Sequence, residues 1–275
     1  MKKVINEPAE RLLRAFKASR TYICLPFCGF EMAEPSEEVL KRVAEQVEVR
    51  MGVNQVTPKC WRPRADLWMI AFFYGDERTY RATYEDGKSG SINFIPRQVF
   101  YVVLDTRHHY LYVSLPEKRR AATPDFLYAL NGTLFENRAP NTPFEACDLD
   151  LDVFNGLDYD YRAPRAFEMP WVSLIMAELD YRVTARIGSS HFVYKPNRDG
   201  FEDMHLEGIP WPRYVEHIIL HCHTYDSQRG KALESVITLY NRSSYIRVSL
   251  SEKNADAVAA LVTLAATHRE RIVLL

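Results

Sequence analysis

The chain has 275 residues, 47% of them hydrophobic and 26% charged, which is enough apolar side chain to build a core and too much to leave the chain disordered. Its 35 Lys and Arg are balanced by 36 Asp and Glu, a net charge of -1, and this excludes a polybasic protein that holds nucleic acid by bulk charge. A local basic patch is compatible with that balance, and the length suits one large domain or two modest ones.

After Lys2 and Lys3, charges return at Glu7, Glu10 and Arg11, so the start lacks the apolar core of a signal peptide. The longest apolar run, Leu67 to Tyr74, is about half of the ~20 residues needed to span a bilayer and reads as a buried strand. Cys24, Cys28, Cys60, Cys147 and Cys222 are odd in number and scattered, as free thiols in a reducing compartment are. The expectation is a cytoplasmic protein with no membrane association.

In chain order, a first helix is predicted over Pro8–Ser19, with Leu12, Leu13 and Phe16 on one side. A short strand, Thr21 to Phe27, follows. Ser36 then caps a helix whose first turn holds Glu37 and Glu38 and whose apolar face is Val39, Leu40, Val43 and Val47. This strand–turn–helix start reads as α/β-like, without the Gly-rich loop of a nucleotide site. From Leu67 the period becomes two. Leu67–Tyr74, Arg78–Tyr84, Gln98–Leu104 and Tyr110–Leu115 are predicted strands, with a turn signal at Glu85-Asp-Gly-Lys88. A helix is predicted from Thr123-Pro-Asp to Asn131-Gly132.

Tyr101–Ala122 recurs, without a gap, as Val236–Ala257. Leu104, Arg107, Tyr110 and the run Val113-Ser-Leu-x-Glu-Lys118 match Leu239, Arg242, Tyr245 and Val248-Ser-Leu-x-Glu-Lys253. The inward set Leu111, Val113, Leu115 corresponds in phase to Ile246, Val248, Leu250. Val258, Leu261, Val262 and Ala265 give the helix after the second copy one apolar face. The fold class read from this is α+β: a short N-terminal α/β-like part, then two related antiparallel β-meander-plus-helix modules formed by internal duplication. The corresponding division is 1–62 for the N-terminal part, 63–135 for the first module, 136–170 for a Pro-bearing acidic connector and 171–275 for the second module. Residues 1–135 carry 20 basic and 16 acidic side chains against 15 and 20 in the remainder, so the two halves have opposite net charge.

The sharpest candidate for chemistry is His217-Ile-Ile-Leu-His221-Cys-His223. In a strand His221 and His223 share a face, with backbones about 6.5–7 Å apart, a spacing at which two imidazoles can converge on one metal. Zinc or manganese would be the ion, and His191, His205 and Glu234 are the candidates for a third ligand. A solvated polar strand face accounts for the same pattern. His108 and His109 lie in the corresponding turn of the first copy and are expected to face solvent.

Asp148, Asp150 and Asp152 alternate with Leu149, Leu151 and Val153, as in a charged edge strand or a docking face for a basic partner. A calcium loop would need Gly and Glu where Val153 and Tyr159 stand. Lys59, Trp61, Arg62 and Arg64 interleave an aromatic with cations, and Lys118, Arg119 and Arg120 add a second cluster. Stacking with phosphate contacts is how single strands are held, so these seven residues are the candidate nucleic-acid or anion site. No nucleophile elbow, phosphate loop or HExxH motif is present, and no catalytic residue is assigned. The expected function is therefore a non-enzymatic recognition or assembly protein. It would use an exposed sheet face, or the groove between modules, to bind a protein, another copy of itself or nucleic acid, without a cofactor. The alternative is a metal-dependent hydrolase, phosphodiesterase- or nuclease-like, built on His221 and His223.

Overall fold

The computed structural model describes residues 16, 18–27, 32–75, 79–85, 88–94, 97–135, 148–151, 165–166, 175–187, 190–194, 215–226 and 231–266. For 79–94, 165–166, 175–194, 231–234, 264 and all of 215–226 except His217 and Ile219, it describes the backbone alone. Most of the expected first helix, the connectors and Asp152 lie outside these residues. The class is α+β, with a large antiparallel sheet. Among the described residues no helix is long and apolar enough to cross a membrane. The chain divides into two compact units, one of Met1–Cys28, Leu104–Tyr112 and Glu145–Leu275, the other of Gly29–Val103 and Val113–Phe144.

In the second unit, helix α1 (Glu37–Met51) starts where Ser36 Oγ accepts from Val39 N–H at 3.2 Å and ends at Gly52, whose φ of 60° closes the last turn. Val39, Leu40, Val43 and Val47 are buried, as the 3.6-residue period requires. Strand β2 (Asn54–Arg64) pairs antiparallel with β3 (Leu67–Gly75). Most of β3 is buried on both faces, and it lies between β2 and β6 (Arg97–Asp105) in the strand order. Among the described strands β2 pairs with β3 alone, and it is mostly exposed or half-buried. Its Pro58 and Pro63 suit an edge, since proline cannot donate to a ladder. Gln55, at φ 55°, sits where the β2–β3 register shifts, which is how a bulge bends an edge strand. β4 (Thr79–Glu85) and β5 (Lys88–Phe94) form a separate hairpin closed at Glu85 and Lys88, the predicted turn. Helix α2 (Thr123–Leu134) packs against α1. Its Phe126 meets the edges of Phe72 and Phe100, and Phe100 stacks on Tyr74 at 4.2 Å.

The first unit is built on a sheet of order β10-β9-β11-β12-β13-β1-β7. Its strands are β1 (Arg20–Pro26), β7 (Tyr110–Ser114, through Tyr112), β9 (Ile175–Ile187), β10 (Ser190–Tyr194), β11 (Val215–Asp226), β12 (Lys231–Tyr240) and β13 (Tyr245–Val248), with the short β8 (Arg165–Ala166) against β9. The registers of β10 on β9, β9 on β11, β11 on β12, β12 on β13 and β13 on β1 are antiparallel. Ile237, Leu239, Ile246, Val248 and Leu250 are fully buried. Val258, Leu261 and Val262 of helix α3 (Ala255–Ala265) are buried too. At 25 cal/mol/Å² of apolar surface, full burial of each such side chain contributes about 1.5–3 kcal/mol. Tyr110 and Thr263 join β7 to α3 through a buried 2.9 Å hydroxyl pair.

Candidate functional site

Strands β12 and β13 are one-sided. While Ile237, Leu239, Ile246 and Val248 are buried, the alternate residues Val236, Thr238, Tyr240, Tyr245 and Arg247 are exposed or half-buried. Strand alternation puts the second set on the opposite face, and Val236 stands out there as a large apolar side chain left 47% exposed. That face is concave. With β11 and the loop after β13 it forms a groove of about 720 Å³, whose lining includes His217, Ile219, Tyr240, Thr238, Arg247 and Lys253.

The register fixes the order of these groups. His217 pairs with Tyr240, Ile219 with Thr238, and Thr238 in turn with Arg247. The His217 and Tyr240 rings lie 5.5 Å apart, tilted by 46°, at one end of the groove. Arg247 stands about 6.5–7 Å further along, one alternation away. Lys253 comes from the loop leading into α3, and Asn254 holds that loop in place. Its Oδ1 accepts from the Ser251 N–H at 2.8 Å and from the Ser251 hydroxyl at 3.0 Å, while its Nδ2 donates to Ser249 O at 2.8 Å. No carboxylate lines the groove among the described residues. Arg247 and Lys253 are both exposed, and neither makes an ion pair with a described residue. Such a groove can do two things chemically: attract an anion, and offer it hydroxyl donors beside an apolar and aromatic surface.

Of the pattern singled out from the sequence, His217 lines the groove. His221 pairs in register with Val236 and Asp180, and His223 with Glu234 and Glu178; their side chains lie outside the described residues. Among the described residues no three His, Cys, Asp or Glu side chains gather as metal ligands would. Lys59 is exposed and Trp61 half-buried. Arg62 is held within its own unit: it lies over the Trp68 ring at 4.2 Å, pairs with Glu34 at 3.1 Å and donates to Ala65 O. Arg64 pairs with Asp66 at 3.1 Å. Lys118 and Arg120 are exposed and Arg119 half-buried on a 3-10 turn, Glu117–Ala122, that leads into α2. Asp148 and Asp150 are exposed while Leu149 and Leu151 are buried. That segment bridges two elements, with Leu149 N–H donating to Ser243 O at 3.0 Å and Asp150 N–H to Ala265 O at 2.7 Å.

The turn between β6 and β7 departs from expectation. His108 does not face solvent; it is 5% exposed, and Asp105 beside it is fully buried. Asp105 accepts from the His108 backbone N–H at 3.1 Å and from its ring Nδ1 at 2.7 Å. His108 Nε2 is buried, 3.8 Å from Asp256 Oδ1 at the start of α3, too long for a hydrogen bond. Asp105, three residues before His108, turns the ring inward by capping the turn, which a solvent-facing average for turn histidines overlooks. Arg107 reaches toward Asp256 at 3.9 Å. Arg242, which the sequence match sets against Arg107, is exposed at φ 50° and uses its backbone N–H on Leu149 O, so the two arginines make different contacts.

Compared with known protein families and with curated proteins, the sequence matches none.

Proposed function

We propose that this is a non-enzymatic recognition protein of the cytoplasm that holds an anionic partner against the exposed face of β11, β12 and β13. The observation that carries this reading is the groove itself: two cations without ion pairs among the described residues, no carboxylate in its described lining, and an exposed Val236. The partner is a protein or nucleic-acid segment, and no cofactor takes part. The test is titration of a single-stranded oligonucleotide and of a Glu-rich peptide at two salt concentrations. Two phosphate contacts on a single strand give a salt slope of about -1.4, or about sevenfold weaker binding for a fourfold rise in salt. Arg247→Glu with Lys253→Glu should abolish binding. Binding that is absent, or unchanged in the double variant, overturns the reading.

A second reading is favoured by one register. The strands flanking His221 and His223 set Asp180, Glu178 and Glu234 directly beside them, and directly opposed residues sit about 5 Å apart at Cβ. Carboxylates at that spacing are candidate partners for a zinc or manganese site of a hydrolase. Metal bound by neutral imidazoles should be lost as pH falls through about 6.5 and in His221→Ala with His223→Ala. Protein that carries no stoichiometric metal and takes up neither ion eliminates this reading.

The duplication is also proposed here, with modules at 63–135 and 171–275. Its support is positional. β6 ends at Asp105 and β12 at Tyr240; β7 resumes at Tyr110 and β13 at Tyr245, each pair 135 apart. Against the offset, α2 begins at Thr123 and α3 at Ala255, and the positive-φ turn residues are His109 in one and Arg242 in the other.

A further inference from the structure

Resting on the groove as the recognition site, we infer that its ligand is a single nucleotide bearing a terminal phosphate. The charge requirement points there first. Two cations without ion pairs among the described residues match the two charges of a phosphate monoester, whereas a single carboxylate would satisfy one and leave the other. A guanidinium such as that of Arg247 engages phosphate bidentately, and Lys253, elsewhere in the same groove lining, adds a point charge. The hydroxyl of Thr238, directly opposite Arg247 in the register, lines the groove as well and can donate to a remaining phosphate oxygen.

The other end of the groove has different chemistry. His217 and Tyr240 present rings 5.5 Å apart, with Ile219 next to them on the same strand face. Aromatic and apolar groups of this kind take the face of a base. One alternation along the strand, about 6.5–7 Å at the backbone, separates the Arg247 row from the Tyr240 row, so a phosphate held at the first leaves its base toward the second. The volume of about 720 Å³ lies inside the ~300–1,000 Å³ range of small-molecule pockets. A single unit fits that volume.

The experiment is calorimetric titration of the full chain with adenosine 5′-monophosphate, adenosine, inorganic phosphate and a 5′-phosphorylated pentanucleotide. The monophosphate is expected to bind at least tenfold tighter than adenosine or phosphate alone. Arg247→Gln and Lys253→Gln should each weaken it about tenfold, as loss of one charge-assisted hydrogen bond does, and Tyr240→Ala should remove the preference over phosphate. Both cations are exposed, so thermal melting of these two variants should match the wild type. Equal affinity for monophosphate and phosphate, or an affinity indifferent to the variants, overturns the inference. A pentanucleotide or Glu-rich peptide that binds through Arg247 and Lys253 while the monophosphate does not also overturns it, but leaves the anionic-partner reading standing. Loss of all anion binding removes both.

Discussion

Replacing Asp105 by Ala should destabilise the protein more than any single surface change. The carboxylate is fully buried and accepts two hydrogen bonds, from the His108 backbone at 3.1 Å and from its imidazole at 2.7 Å. Removing it leaves an N–H and a ring nitrogen without partners where water does not reach. A hydrogen bond to a charged group contributes about 1.5–3 kcal/mol, so losing both costs about 3–5 kcal/mol. Asp105→Asn keeps one acceptor oxygen and the side-chain shape, and should cost about half as much. For a chain of this size the Ala variant would melt about 6–20 °C lower. Urea unfolding followed by circular dichroism reads the difference, with unchanged m confirming that stability and not compactness has moved. If both variants lie within about 0.5 kcal/mol of wild type, as ordinary surface changes do, the buried pair does not hold this turn and the reasoning fails.

Two other outcomes follow from local geometry. Gly52→Ala meets nothing within 4 Å of the new Cβ, yet must adopt φ 60°; it should cost about 1 kcal/mol in urea unfolding, and a neutral or stabilising result would mean that α1 does not end in a left-handed residue. Cys60 is an exposed residue whose thiol is pushed up to about 11 by desolvation, with the Arg62 charge acting the other way. Below pH 9 its thiolate fraction, and hence its alkylation rate read by mass spectrometry, should be about a hundredfold below that of an ordinary thiol and should keep rising about tenfold per pH unit until it levels off near 11; a rate equal to that of free glutathione at pH 8 would contradict this.

Helix α1 was legible because its signals are local: a serine cap, two acids, and apolar residues at helical spacing. β3, β6 and β7 were legible for the same reason, being apolar runs bounded by turn residues. β2 was not, because an edge strand with two prolines and alternating cations has neither periodicity nor continuous burial to betray it. β5 was obscured by its Ser-Gly-Ser run. Helix α2 continues two residues past Gly132, to Leu134, whose buried side chain outweighs the local cost of glycine. The groove was legible only in part: His217 and Ile219 belong to the histidine-bearing strand pattern, but Thr238, Tyr240, Arg247 and Lys253 lie on two further strands and a loop with no motif among them. Its signal was present in complement. Once Ile246, Val248 and Leu250 are taken as the inward set, Arg247 and Ser249 must face outward, and Thr238 joins them through the register. The inward turn of His108 depends on a single contact from Asp105, which no pattern of period two contains.

The most direct test of the recognition reading compares two charge reversals in the same oligonucleotide titration. One is Arg247→Glu with Lys253→Glu in the groove. The other is Lys59→Glu with Lys118→Glu and Arg120→Glu, the exposed cations of the sequence-defined basic cluster. The account predicts that the groove pair eliminates salt-sensitive binding while the second set reduces affinity by no more than about threefold, the contribution of distant surface charge. Binding that survives the groove reversal and vanishes with the second set would contradict it, and would move the recognition surface to β2 and the turn before α2.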